Sequence, residues 1–173
     1  MPSAYFTERL PYTPSDMLAL VRDVESYPKF LSFVSGLRII GKPHCTPAGE
    51  SFEAQMAVRY KMISETVRCR VEIDTDKHQV RVRKANTSGP IKALVNDWSF
   101  HELLDGSTLI ELKVDVTLKA MPLNFLVQQK FGAASEKILQ AFRARADQLY
   151  ESLGSDTLDI KAEITRLGLT QTV

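Results

Sequence analysis

From Phe52 to Met62 the apolar residues Phe52, Ala54, Met56, Val58, Tyr60 and Met62 hold the even positions. Glu53, Gln55, Ala57, Arg59 and Lys61 fill the odd ones. A period of two marks a strand with one face buried. The pattern recurs from Glu65 to Ile73, where Val67, Cys69, Val71 and Ile73 oppose Thr66, Arg68, Arg70 and Glu72. It recurs again at Val80 and Val82 against Arg81 and Arg83, and from Ile110 to Leu118. Leu94, Asn96, Trp98, Phe100 and Glu102 share one face of a further strand, and Tyr5–Leu10 and Leu37–Lys42 read as two more. Asp74-Thr75-Asp76-Lys77, Asn86 to Pro90 and Asp105-Gly106 are turn signals. Strands joined by such short turns pair antiparallel.

Elsewhere the period lengthens to 3.6. Thr13 before Pro14 reads as an N-cap with proline at the first helical position, so residues 14 to 24 are expected to form a helix. A second short helix is expected to start near Pro28. From Pro122, the stripe Leu123, Val127, Phe131, Ala134, Ile138, Phe142 and Leu149 predicts one long helix ending near Ser152 to Gly154. The expected organisation is one domain over 1–153, then a polar segment, 154–173, that is a mobile tail or at most a short added element. The apolar sheet face must be covered, and only the long helix is large enough to cover it. A curved sheet gripping one helix leaves room for a cavity.

The 173 residues and net charge of +1 fit one ordinary domain and suggest no partner by overall charge. There is no run of 18 apolar residues and no leader-like N-terminus, so the chain reads as cytoplasmic. Cys45 and Cys69, and His44, His78 and His101, lack metal or disulfide spacing. No nucleophile motif or P-loop is present, and the acidic residues are read onto outward faces. The expectation is therefore a binding protein with no catalytic residue and no resident cofactor.

Three stretches carry a resemblance to a known family. They are Tyr27-Pro28-Lys29-Phe30-Leu31, the pair Val58-Arg59-Tyr60 with Ser64-Glu65-Thr66-Val67, and Gly89-Pro90-Ile91-Lys92-Ala93-Leu94 followed by Trp98-Ser99-Phe100. With them the chain, from about Tyr5 to Tyr150, resembles the coenzyme Q-binding proteins of the polyketide cyclase and START-like lipid-transfer superfamily. The resemblance implies the α+β helix-grip fold: a curved antiparallel sheet of about seven strands around a long C-terminal helix, with two short helices after the first strand. It also implies binding of a polyisoprenoid quinone such as ubiquinone, in support of respiration or quinone biosynthesis. The same family includes ribosome-association toxins, which keeps the ribosome open as the alternative partner. A polyketide cyclase stands third.

The residues expected to line a cavity are Phe52, Met56, Val58, Tyr60, Val71, Asn96, Trp98 and Phe100 on the sheet. Phe131 on the long helix is expected to line it too, and Phe30 and Leu31 near Pro28, with Leu123, Phe125 and Leu126 at the start of the long helix, are expected to form its mouth. Plain core remains the other reading for the apolar ones. Arg59, Lys61, Arg68, Arg70, Arg81 and Arg83 fall on the outward face of three consecutive strands. Such a band suits an anionic membrane surface, which would place the chain peripherally at the inner membrane, or ribosomal RNA phosphates. A solvated face balanced by Glu53, Glu72 and Glu111 is the other reading.

Overall fold

The computed structural model describes residues 3–60 and 63–169, except the side chains of Tyr60, Ile63 and residues 121–127. Seven strands form one antiparallel, curved sheet in the order β1-β7-β6-β5-β4-β3-β2. They are β1 (Ser3–Leu10), β2 (Val34–Cys45), β3 (Gly49–Tyr60), β4 (Ile63–Asp74), β5 (Gln79–Lys84), β6 (Ile91–Glu102) and β7 (Thr108–Leu118). From β2 to β7 each strand pairs with the next in sequence, as the short turns require. β1 closes on β7, with Phe6 opposite Leu112 and Leu10 opposite Thr108.

Between β1 and β2 lie α1 (Pro14–Arg22) and a 3-10 helix (Val24–Lys29). The Thr13 side chain accepts the Asp16 N–H at 3.1 Å, so α1 starts where its cap signal places it. The second helix does not start near Pro28. Its first turn forms at Asp23, whose carbonyl takes the Ser26 N–H, and Pro28 sits one residue from its end. β2 is also longer than expected, because two register shifts, at Val34/Gly36 and Ile40/His44, hide its alternation.

The 29-residue helix α2 (Met121–Leu149) runs about 43 Å at 1.5 Å per residue, slightly more than an eleven-residue strand spans. It begins three residues beyond the end of β7. Its far end returns to the start of β7 and to α1, where Tyr12 donates to Asp147 and the Leu153 N–H donates to the Pro11 carbonyl. It therefore runs back along the length of β7.

Residues 155–169 carry the short added element left open from the sequence. Asp159 caps α3 (Ile160–Arg166) by accepting the Ala162 N–H, and Ile164 packs with Leu103 and Leu109 at the β6–β7 hairpin. Buried Glu163 accepts the Leu104 N–H at 3.1 Å and pairs with Arg166 at 2.6 Å. On the same edge Asp105 accepts from Arg9, from the Ser107 hydroxyl and from the Ser155 N–H. Burial opposes ionisation of Asp105, but these donors together hold its carboxyl well below the usual range.

Candidate functional site

The inner face of the sheet is built from the alternating residues of β3 to β7, and α2 finishes its two ends differently. At the C-terminal half of α2, Leu139, Phe142 and Ala146 close over Phe52, Val71, Trp98, Phe100, Ile110 and Leu112, all buried. Phe142 is the centre of this core. Trp98, Phe30 and Tyr27 stand edge-on to it, with ring centroids 5.1 to 5.2 Å away. Tyr27 donates its hydroxyl to the Val21 carbonyl, and burial raises its pKa far above the ordinary phenol value.

Along the N-terminal half the same strands continue, but the covering is incomplete. Met56, Val58, Val82, Leu94, Val114 and Val116 face inward and remain half-buried. On α2, Phe131, Ala134 and Ile138 are likewise half-buried. Among the described residues, a small cluster of Val67, Cys69, Ile91 and Leu118 is closed there. An apolar wall that its own helix leaves part-covered has the make-up of a hydrophobic ligand site.

Two polar features lie on this wall. Asn96, between Val82 and Val114 in register, has its Oδ1 buried without a hydrogen-bond partner. Glu65 and Lys84 form an ion pair at 3.3 Å with side chains 3% and 1% exposed. Lys84 Nζ also donates to the Asn86 and Ser88 carbonyls at 2.8 Å, and Glu65 Oε2 accepts the Ile91 N–H at 3.1 Å. The pair thereby ties down the turn between β5 and β6. Gly89, at φ +83°, lies so close to the Glu65 carboxylate that any side chain there would strike it. The expectation that acidic residues occupy only outward faces therefore fails at Glu65. Glu65 shares the parity of Val67 and Cys69, and Lys84 that of Val80 and Val82, so alternation already pointed both inward. Cys69 lies opposite Lys84, and burial pushes its thiol up to about 11, which keeps it protonated at neutral pH.

The expected cavity residues thus divide. Met56, Val58, Asn96 and Phe131 stand on the part-covered half. Phe52, Val71, Trp98 and Phe100 belong to the closed core. Leu31, 4% exposed, belongs there too, and Phe30 packs on Phe142 while remaining half-buried. The side chains of Tyr60, Leu123, Phe125 and Leu126 lie outside the described residues, as does Lys61.

On the outer face, Arg59, Arg68, Arg70 and Arg81 are exposed and Arg83 is half-buried. Acids interrupt the band: Asp97 pairs with Arg83 at 3.0 Å and with Arg81 at 3.2 Å, and Glu53 lies 3.9 Å from Arg68. Arg59 and Arg70 have no ion pair among the described residues. Beside them, Gly36, Leu37, Arg38, Gln55, Ala57 and Thr66 line a shallow depression of about 250 Å³.

The family model described as polyketide cyclase / dehydrase and lipid transport matches residues 10–143, from the last residue of β1 into the last third of α2. The chain belongs to this family. It is 31% identical to the ribosome association toxin RatA of Rickettsia prowazekii over 152 residues, 86% of this chain and 99% of that protein. It is 24% identical to a mitochondrial coenzyme Q-binding protein of Dictyostelium discoideum, over 86% of this chain and 71% of that one. Among solved structures, an 18 kDa protein of Caulobacter crescentus superposes with a TM-score of 0.70 at 30% identity, covering 86% of this chain and 98% of that one. The START-like fold read from the sequence is the fold observed.

Proposed function

We propose that the chain binds an apolar small molecule between the part-covered half of the sheet and the N-terminal half of α2, with a polyisoprenoid quinone as the ligand class. The half-buried wall of Met56, Val58, Leu94 and Val116 carries this reading. Covering it with a prenyl tail stabilises by roughly 25 cal/mol per Å² of apolar surface, so no strong polar contact is needed for retention. In this reading the chain is a carrier without turnover. It needs no resident cofactor, and it delivers its ligand to respiratory or quinone-making proteins at an anionic membrane surface. Mass spectrometry of organic extracts of the protein, purified from a quinone-making host, tests it. A co-purifying prenylated quinone is expected. Extracts free of any apolar ligand, with no uptake from quinone-loaded vesicles, contradict it.

The second reading is ribosome association. The name of the Rickettsia relative favours it, and so do Arg59 and Arg70, which have no ion pair among the described residues. Salt-sensitive co-sedimentation with ribosomal subunits, lost on reversing these two arginines to glutamate, would support it.

A further inference from the structure

We infer that Asn96 is the polar anchor of the inner wall, so that the ligand is an apolar molecule bearing a carbonyl or hydroxyl and lies with that group innermost. This rests on the hydrophobic-ligand reading and adds the ligand's chemistry and direction.

Asn96 stands where the wall changes character. Towards the end of β6 its next inward neighbour is Trp98, 5% exposed and packed against Phe142, so the wall is closed there. Towards the start of β6 the next is Leu94, opposite Val116, and both are half-buried. Across the sheet its partners are Val82 and Val114. An amide set among five apolar side chains, with its Oδ1 shut off from water and unpaired, is a group awaiting a hydrogen bond. As it stands, Oδ1 accepts from a ligand hydroxyl; turned over about its last side-chain bond, the amide presents its NH2 to the same space and donates to a ligand carbonyl.

The wall's other polar groups are compensated: Glu65 Oε1 is also buried without a hydrogen bond, but the Lys84 ammonium lies 3.3 Å from it. The Lys84 ammonium is taken by Glu65 and two carbonyls. Thr117 Oγ1 is also buried without a partner, but it follows inward-facing Val116 and so falls on the opposite face. A carbonyl or hydroxyl at Asn96 would therefore place the polar end of the ligand beside Trp98 and its apolar body along Leu94, Val116 and Val58.

Calorimetric titration of the full chain with 2-methyl-1,4-naphthoquinone and with 2-methylnaphthalene separates the polar contact from ring burial. The quinone is expected to bind about tenfold tighter, since one hydrogen bond made in an apolar site is worth that much. Asn96→Leu should erase the preference by weakening the quinone alone, with the melting midpoint held or raised. A prenylated quinone should quench Trp98, the single tryptophan, because its ring lies innermost. Equal binding of both probes by the unmutated chain, a preference that survives Asn96→Leu, or an Asn96→Leu chain that fails to fold would each overturn the anchor. A prenylated quinone that binds without quenching would overturn the direction. Binding of neither probe by the unmutated chain would remove the hydrophobic-ligand reading itself.

Discussion

Under the C-terminal half of α2, Trp98 and Phe100 are sealed by Phe142, Leu139 and Ala146. A few residues back along β6, towards the end of the sheet from which α2 starts, Leu94 and Asn96 stay half-buried. Strand alternation is the same in both places, so the difference comes from the helix stripe and from the short helices after β1. Met17, Leu20, Val21 and Tyr27 add a second cover at the sealed end. At the other end a self-satisfied ion pair and the turn it holds take the place of that apolar cover. One end holds the closed core, and the other is where we propose the ligand binds.

The largest effect separating the two ends should come from Phe142→Ala. Removing the ring on which Trp98, Phe30 and Tyr27 converge should cost about 3–5 kcal/mol in urea unfolding. Phe131→Ala, on the part-covered half, should cost well under half of that and should weaken ligand uptake instead. Next comes the ion pair. Glu65→Gln or Lys84→Met alone leaves a buried partner unpaired and should cost about 3 kcal/mol. The double substitution should recover much of that loss, and a double-mutant cycle measures the coupling.

A smaller effect is expected at the edge held by Asp105. Its folded pKa lies below its unfolded value near 3.9, so its contribution to stability is complete above that value. That contribution is lost as pH falls through the folded pKa. Asp105→Asn should cost about 1–3 kcal/mol at pH 7 and flatten the fall in thermal midpoint below about pH 4. The smallest effect should be that of Arg70→Glu on the outer face. It should change stability by about 0.5 kcal/mol or less, and is read instead by salt-dependent sedimentation with ribosomal subunits or anionic vesicles.

Much of this fold was legible because each strand has a wet face and a dry face. Phe52 to Val58 and Ile110 to Leu118 alternate without interruption, and their pairing follows from short turns. Legibility failed where backbone geometry breaks the period, as at the two register shifts of β2 and in the 3-10 helix before Pro28. It failed also for the last segment, although Asp159 followed by Ile160, Ile164 and Leu167 is a capped helical stripe. The site was harder to read, because periodicity shows which side chains face inward but not how completely a helix covers them. Periodicity gives Trp98 the same inward face as Met56 and Val58; Phe142, packed on Trp98, is what sets it apart. Glu65 is hidden for another reason: the acidic residues are read onto outward faces as a class, although its parity with Val67 and Cys69 points inward.

The central claim is that the part-covered half, and not the sealed half, is the ligand site. The most direct test is methyl-labelled NMR of the chain titrated with a short-chain prenylated quinone. Met56, Val58, Val82, Leu94, Val114 and Val116 should shift together and saturably, with Leu20, Val21, Leu112 and Leu139 unmoved. Shifts confined to the sealed set, or no saturable shift on the inner wall at quinone concentrations that load vesicles, would contradict it.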